Sequence, residues 1–236
     1  MISTSNLISY WKLDESYTAD TWVDSHGPNN LTRSGNCLEA IGVINNGLDT
    51  NTSSIYTGLL YIDDANQVGL DITDYLSISA WIKIPSGVGG YPTLVSKGVD
   101  TTTQSYMLYL TNSNNTWSFK TSDGTNSHLL NTPTPIIVRD RWYHYCITYN
   151  KDTKLKTIWI NARIVAQATA THGADLVNSN ARFLLGYFDY SSSANGRGIY
   201  DEVSIWNRVL TQSEIMELAT LVSYPLGNPR ATVLRS

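Results

Sequence analysis

The stretch GRGIYDEVSIWNRVLTQSEIMEL, Gly196–Leu218, decides the fold of this chain. Its first half alternates in polarity as a β-strand does, and this alternation predicts that Asp201 and Val203 share one face. In its second half, Thr211 is followed three residues later by Glu214, the spacing of a capping box, and apolar residues then recur at helical spacing. The stretch therefore predicts a closing strand, a sharp turn and one short helix.

Other apolar alternations precede this stretch and are separated by clusters of Gly, Pro, Asn, Ser and Thr, which favour turns. They fall at Leu7–Leu13, Leu76–Ile84, Thr93–Gly98, Ser105–Leu110, Thr116–Lys120, Trp142–Asn150, Lys156–Ala166 and Ala181–Phe188. Short strands at such regular intervals are typical of an all-β fold. We predict an antiparallel two-sheet β-sandwich with one short C-terminal helix.

Size and composition favour a single domain. The chain has 236 residues and a mass of 26.2 kDa, and 42% of the residues are hydrophobic while 15% are charged. An all-β sandwich of this length commonly forms one unit. The last residues, 223–236, contain two prolines and no periodicity, so we predict a domain over residues 1–222 and an extended C-terminal arm over 223–236.

Charge and segment patterns exclude several classes of partner. The formal net charge is -4, so no basic surface is predicted for nucleic acid. No apolar run approaches the roughly 20 residues of a membrane-spanning helix, and Met1–Ser16 lacks the pattern of a signal peptide. These patterns leave a cytosolic protein, a mature piece of a larger secreted protein, or a virion protein, and we predict an extracellular or virion-surface location. Cys37 and Cys146 are too few for a disulfide framework and are interpreted as buried free thiols.

Several motifs occur in the order found in one known family. They are WKLDES, SAWIK, LVSKG, WYHYCITY and YDEVSIWNRVL, within about Asn6–Leu221. This series resembles the laminin-G-like, concanavalin A-like lectin/glucanase jelly-roll domains. The resemblance implies a jelly-roll fold, but the family includes lectins, adhesion modules, pentraxin-like proteins and some glycoside hydrolases. Function must therefore be inferred from the site.

The distribution of acidic residues argues against hydrolysis. A retaining glycosidase needs two carboxylates about 5 to 5.5 Å apart, which on a strand means acids at alternate positions. The acids here fall singly or as adjacent pairs: Asp14 with Glu15, Asp63 with Asp64, and Asp201 with Glu202. Adjacent strand residues face opposite sides, and no G-x-S-x-G, phosphate loop or H-E-x-x-H motif is present. We predict that the protein is not an enzyme.

Aromatic residues supply the candidate ligand contacts. Seven Trp and fifteen Tyr have an apolar face for a sugar ring and a polar atom for its hydroxyls, although a sandwich core would consume most of them. Trp81 and Lys83 share the polar face of their predicted strand and are the first candidates. Trp117 and Tyr190 lie near predicted loops, and Arg197 would reach an acidic sugar or pair with Asp189.

The resemblance also implies a calcium ion. Related jelly rolls often hold one structural Ca²⁺ between the first and last strands, with an aspartate of the closing strand and backbone carbonyls of glycine turns as ligands. Asp201 matches that aspartate, Gly47 would supply a carbonyl, and Asp24 is a looser candidate. Such oxygen-only coordination suits calcium. The alternative for Asp201 is an exposed or salt-bridged strand residue.

Two functional hypotheses follow. The first is a non-enzymatic carbohydrate-binding or adhesion domain, displayed on a phage or virus surface or forming part of a secreted adhesin, with glycans or a host surface as partner. The second is a structural virion decoration or oligomerisation protein that binds only protein, including other virion or adhesin subunits. A solvent-filled groove lined with aromatic residues would favour carbohydrate binding, and a large exposed apolar patch would favour protein binding.

Overall fold

The computed structural model describes residues 2–50, 58–99, 103–111, 115–133, 137–189 and 197–220. In this part of the chain, nearly all regular structure is β-strand. The strands are β1 Leu7–Trp11, β2 Thr21–Trp22, β3 Leu31–Ser34, β4 Leu38–Ile41, β5 Asn46–Asp49, β6 Leu59–Ile62, β7 Tyr75–Lys83, β8 Thr93–Lys97, β9 Tyr106–Thr111, β10 Thr116–Ser122, β11 Ser127–Asn131, β12 Trp142–Asn150, β13 Leu155–Ile160, β14 Arg163–Thr169, β15 Phe183–Leu185 and β16 Ile199–Trp206. The helices are a 3₁₀ turn at Asp64–Asn66 and α1 at Gln212–Thr220.

The strands form two eight-stranded antiparallel sheets. Sheet A has the order β14-β13-β12-β7-β16-β5-β4, and β1 also pairs with β16. Sheet B has the order β11-β10-β9-β8-β15-β6-β3-β2. Each sheet combines hairpins of consecutive strands with pairs of strands that are distant in sequence, and one such distant pairing places the closing strand β16 beside β7 in the middle of sheet A. The predicted all-β sandwich with one short helix is confirmed.

Alternate residues of the long strands fill the space between the sheets. In β7, Ile78 and Ile82 are buried in this core, while Ser79 and Trp81 point to the opposite side of the sheet. The indole of Trp11 stacks on Phe183 of sheet B with ring centroids 5.4 Å apart. Burial of these apolar faces is the main stabilising contribution to the sandwich.

The predicted alternation of β16 is wrong at its centre. Glu202 has a φ of 53°, and the pairing of β16 with β7 shifts register between Asp201 and Ser204. Such a β-bulge inserts one extra residue, so the faces exchange beyond it. Tyr200 and Val203 both point into the core, and the two acids between them both lie on the outer side of sheet A. Asp201 and Val203 therefore do not share a face.

The C-terminal helix begins with the predicted capping box. The backbone N–H of Thr211 donates to the Glu214 carboxylate at 2.8 Å, and Glu214 also holds the guanidinium of Arg208. These contacts lower the pKa of Glu214 to about 2, the bond from Arg208 being the largest cause. Ile215 and Leu218 of the helix pack against Trp206 on the outer face of sheet A. The closing stretch therefore covers part of the sheet that it helps to form.

Both cysteines are buried and free, as the sequence indicated. Burial raises the pKa of the Cys37 thiol to about 12 and that of Cys146 still further. The predicted C-terminal arm, 223–236, lies outside the described residues, so the domain boundary at residue 222 stays a prediction.

Candidate functional site

The outer face of sheet A carries the first predicted ligand residues, and it is largely covered. Trp81 is on this face as predicted, but only 8% of its surface is exposed. Its ring meets His144 edge-on with centroids 5.5 Å apart, and His144 forms a 2.7 Å hydrogen bond with Ser79. Lys83 is half-buried, with its ammonium 5.0 Å from the centre of the Trp142 ring. Trp81 therefore offers no open ring face to a ligand in this structure.

Acidic residues form a second feature of the same face. One carboxylate oxygen of Asp201 accepts the backbone N–H groups of Val43 and Ile44 at 2.6 and 3.0 Å, and the other oxygen is buried without a hydrogen-bond partner among the described residues. Glu202 accepts a hydrogen bond from the Tyr10 hydroxyl. Burial and the neighbouring Glu202 raise the pKa of Asp201 to about 8, and burial raises that of Glu202 to about 7. These shifts show that two negative charges are costly here.

Asp24 has a different environment. One of its oxygens accepts the backbone N–H groups of Tyr10, His26 and Gly27 at 2.9 to 3.0 Å, and the other accepts that of Asn29 at 3.1 Å. Four backbone donors thus satisfy this carboxylate. The contacts join the turn that follows Asp24 to strand β1, so this aspartate stabilises the loop.

The predicted calcium ligands fit such an ion in part. Gly47 is beside Asp201, since a Cβ atom added to this glycine would lie 3.7 Å from the Asp201 Cβ. The unpartnered oxygen of Asp201 is suited to a hard cation, which would also offset the charge of Glu202. Calcium takes six to eight oxygens, however, and no group of three or more His, Cys, Asp or Glu in the described ranges is placed to hold a metal. Backbone carbonyls and water would have to complete the shell.

The remaining predicted ligand residues are dispersed. Trp117 is the second residue of β10, within the predicted strand, but its ring is fully buried in the core, 4.6 Å from Tyr145. Its strand places it inward because odd-numbered residues of β10 face the opposite sheet, so its predicted exposure is wrong. Arg197 is half-buried, and its Nε has no partner within the described chain. Asp189 contacts Arg182, at 3.8 Å, and Tyr190 lies outside the described residues.

Sheet B presents a different outer face, on which the rings of Tyr91 and Tyr109 are partly exposed and that of Phe188 is buried. Tyr91 is 39% exposed, and its ring meets that of Tyr109 edge-on with centroids 6.2 Å apart. The ring of Phe188 lies 6.4 Å from that of Tyr109. Burial raises the pKa of the half-buried Tyr109, and a hydrogen bond with Ser118 opposes the rise. We call Tyr91, Tyr109 and Phe188 the tyrosine patch.

A second aromatic contact lies on the same face. The guanidinium of Arg182 stacks over Tyr61 of β6, 5.0 Å from the ring centre. Asp63 and Asp189 flank this guanidinium at 4.0 and 3.8 Å. Aromatic faces with hydrogen-bonding groups at their edges are what recognition of a sugar requires.

The sequence analysis missed the tyrosine patch. Tyr109 lies in the predicted strand Ser105–Leu110, and its alternation with Leu108 and Leu110 already placed it opposite the core. Tyr91 and Phe188 lie in the segments flanking β8 and β15, which the chain order does not bring together. Pairing of β8 with both β9 and β15 makes these segments neighbours. The sequence pattern therefore indicated the outward orientation of Tyr109 but gave no sign that Tyr91 and Phe188 lie beside it.

Comparison with known families agrees with this architecture. Residues 56–216 match the profile of the concanavalin A-like lectin/glucanases superfamily, in its laminin G group. The chain belongs to this family, as the motif series indicated. No curated protein matches the chain in sequence.

Solved structures show the same fold at low identity. The binding domain of botulinum neurotoxin DC, in complex with rat synaptotagmin II, superimposes with a TM-score of 0.69 and 16% identity over 94% of this chain and 52% of that one. A botulinum neurotoxin type C structure, described as dependent on two ganglioside molecules for entering cells, gives 0.70 and 16% over the same shares. Our chain thus spans about half the length of these toxin domains.

Two further neighbours come from carbohydrate-active proteins. Domain 4 of AbnA, an extracellular GH43 arabinanase from Geobacillus stearothermophilus, in complex with arabinotriose, gives a TM-score of 0.66 and 18% identity over 91% of this chain and 98% of that domain. A Trypanosoma rangeli sialidase gives 0.69 and 15% over 94% and 34%. At such identities the likeness establishes a lectin-like fold. No helix in the described part of the chain is long and apolar enough to cross a membrane.

Proposed function

We propose that this protein is a carbohydrate-binding domain and that the tyrosine patch of sheet B contacts the sugar. The observation that supports it is the exposed ring of Tyr91 held edge-on against Tyr109, with Phe188 behind. A rigid ring with a polar edge loses little conformational entropy on binding and offers both stacking area and a hydroxyl. The arabinanase domain bound to arabinotriose and the ganglioside-dependent toxin support a glycan as ligand.

The protein is proposed to act by binding rather than by hydrolysis. Asp201 and Glu202 are the adjacent acids with strongly raised pKa values, but they are 0% and 8% exposed. A substrate could not reach the Asp201 carboxylate without displacing the loop bonded to it, and the Glu202 carboxylate is held by the Tyr10 hydroxyl. The sialidase and the arabinanase show that this fold also occurs in enzymes, so turnover should be assayed together with binding.

The test is titration of the protein with glycans found in an array screen. Tyr109→Ala should weaken binding at least tenfold, because it removes the central ring, and Tyr91→Ala should weaken it less. Tyr109→Phe retains the ring and separates stacking from the hydroxyl. Tyr17→Ala is the matched control, since Tyr17 is 53% exposed and belongs to neither sheet.

Two results would contradict this assignment. If Tyr109→Ala bound as the wild type did while Lys83→Ala lost binding, the site would lie on sheet A. If no glycan bound, the hypothesis of a protein-binding role would gain support.

The biological context is a further hypothesis. Such a domain would suit a secreted adhesin, whereas none of the neighbours reported above supports display on a phage or virus.

Protein binding is the second candidate function, and one surface favours it. Edge strand β4 exposes Ile41 to 83% and Leu38 to 43%. In the described structure this strand pairs on one side only, with β5, so it offers free backbone groups to another chain. Mass measurement in solution for the wild type and Ile41→Lys would test for oligomers through this edge. An unchanged monomer in both would remove self-association as a role of β4.

A structural calcium ion at Asp201 is proposed separately. The basis is the buried, unpartnered oxygen of this aspartate beside Glu202. Calcium in hundredfold excess over its Kd would stabilise the fold by about 2.7 kcal/mol, and chelation would reverse the gain. Asp201→Asn should abolish the calcium response, whereas Asp24→Asn should retain it. A wild-type melting temperature that ignores both calcium and chelator would eliminate the site.

A further inference from the structure

A short segment closes one end of the sandwich by bonding to both sheets. Residues 170–177, which we call the strap, lie between β14 and β15. The backbone N–H of Leu176 donates to the carbonyl of Thr73, just before β7 of sheet A, at 2.8 Å. That of Val177 donates to Ser122, at the end of β10 in sheet B, at 2.9 Å. Because the side chain of Leu176 is buried in the core, release of the strap would open the core to solvent at this end.

His172 fixes the strap in place. Only 2% of its surface is exposed, and its Nδ1 lies 2.6 Å from the carbonyl oxygen of Gly173, which can only accept, so Nδ1 carries the proton of the neutral ring. The other nitrogen, Nε2, lies 2.6 Å from the hydroxyl of Thr121 in β10 and therefore accepts a hydrogen bond from it. The ring also lies against Tyr149 of β12, with centroids 5.9 Å apart. The closed strap thus fits a neutral imidazole.

Protonation of this ring would disturb its contacts. Nε2 of an imidazolium is a donor, so the Thr121 hydroxyl would have to turn its own proton elsewhere. The side chain of Thr121 is fully buried, and a buried donor without an acceptor costs free energy. The buried ring of His172 would also carry a charge where water is excluded. Both costs disappear when the strap detaches and the ring reaches water.

The neighbouring bases make a further positive charge unfavourable. Lys156 of β13 is fully buried, and its ammonium donates to the carbonyl of His128 in β11 at 2.7 Å. Burial and the charge of Lys120 lower the pKa of Lys156, and burial and Lys156 lower that of the His128 ring. Burial lowers the pKa of His172, and the charges of Lys156 and Lys154 lower it further. A proton on His172 would therefore enter a region that already disfavours positive charge.

The carboxylates near the strap offset this effect only in part. Asp123, in the turn after β10, accepts the backbone N–H of Gly173 at 2.6 Å, and its charge opposes the lowering of the His172 pKa. Backbone donors, led by that of Asn126, lower the pKa of Asp123 to about 2, so its charge is constant across the range in which imidazole titrates. Asp175 of the strap forms an ion pair with Lys151. The group whose charge changes in mild acid is thus His172 itself.

We propose that the strap is an acid-sensitive latch, closed while His172 is neutral and opened locally when this ring takes up a proton. The closed state favours the neutral ring, so the contribution of His172 to closure is complete above its ordinary pKa of about 6.5 and is lost as the pH falls below it. Local opening of this kind needs less free energy than global unfolding. The latch is independent of the tyrosine patch and of glycan binding.

The experiment is amide hydrogen exchange of the full chain, followed by mass spectrometry at several pH values and corrected for the intrinsic pH dependence of exchange. Protection of the strap should be constant from pH 9 to pH 7 and should then fall about tenfold or more by pH 5. The strap should exchange faster than β7 throughout, because its opening is local.

Two histidine variants form a matched pair. In His172→Gln the side chain stays polar but takes up no proton, so protection of the strap should change less than about twofold over the same range. His144→Gln replaces another buried histidine, on the outer face of sheet A, and should retain the full fall. Melting temperatures of both variants would show that the fold is retained.

Several results would overturn the latch. Equal exchange rates for the strap and β7 at pH 5 would mean that acid unfolds the whole domain. An undiminished fall in His172→Gln, or its loss in His144→Gln, would mean that another group responds to acid. If His172→Gln did not fold, the wild type alone would still decide, since a fall already under way above pH 7, or none by pH 5, contradicts control by an imidazole.

Discussion

The two outer faces of the sandwich differ in what covers them. On sheet A, helix α1 packs over Trp206, and the backbone after β4 is bonded to Asp201. On sheet B, Tyr91 and Tyr109 retain exposed ring surface. Both faces are rich in aromatic side chains, so composition does not distinguish them. The difference teaches that a ring becomes a candidate ligand contact only where no other part of the chain has already buried it.

The largest expected effect is on the stability of sheet A. Trp81→Ala should lower the free energy of unfolding by about 3 to 5 kcal/mol, because it leaves a cavity beside His144. Glycan affinity of the folded fraction should stay within twofold. Chemical denaturation and titration would measure the two quantities, with Trp81→Phe as the milder control. Loss of glycan binding with unchanged stability would instead place the glycan site on sheet A.

Asp24 and Asp201 provide the next contrast. Asp24→Asn places an amide against backbone donors that now bond to a carboxylate, and it should cost about 2 to 3 kcal/mol. Asp201→Asn, measured with chelator present, should cost less, because the raised pKa of Asp201 already favours an uncharged side chain beside Glu202. Unfolding curves of the two isosteric variants give the comparison. An equal loss in both would mean that Asp201 is as well satisfied as Asp24.

Acid should lower the stability of the fold through His144, which lies on the covered outer face of sheet A. Burial lowers the pKa of His144 from 6.5 to about 3, so the folded state keeps it neutral while the unfolded state takes up a proton. Stability from this group is complete above pH 6.5 and is lost as the pH falls from 6.5 towards 3. Between pH 7 and pH 5 the loss should be about 2 kcal/mol.

The His144→Gln variant isolates this contribution. Its unfolding free energy should depend less steeply on pH than that of the wild type, and the difference between the two proteins gives the share of His144. Parallel profiles would show that His144 is accessible to protons in the folded state.

The smallest expected effect concerns Lys83. Its contact with the Trp142 ring is partly exposed, and such cation–π pairs contribute about 0.5 to 1 kcal/mol. Lys83→Ala should lower stability by no more than this and leave glycan affinity unchanged, as titration beside a Lys83→Arg control would show. A large loss of affinity in Lys83→Ala alone would restore sheet A as the binding face.

Prediction from sequence succeeded where a local pattern determines the structure. The alternation of β7 placed Trp81 and Lys83 correctly on the outer side, and the capping box at Thr211 is formed. It failed at Glu202, because a bulge depends on how β16 pairs with its neighbours. It also failed for Trp117, whose place near a loop suggested exposure although its strand turns the ring into the core.

The sequence by itself determined the sandwich, the closing helix and the family, because periodicity, capping and motif order are properties of neighbouring residues. Only the tertiary structure decided which aromatic rings on the outer faces remain exposed. Tyr91, Tyr109 and Phe188 meet because β8 pairs with β9 on one side and β15 on the other. Trp81 lost its exposure because of its packing against His144 and the other elements on sheet A. Exposure depends on contacts between residues distant along the chain, which no local pattern records.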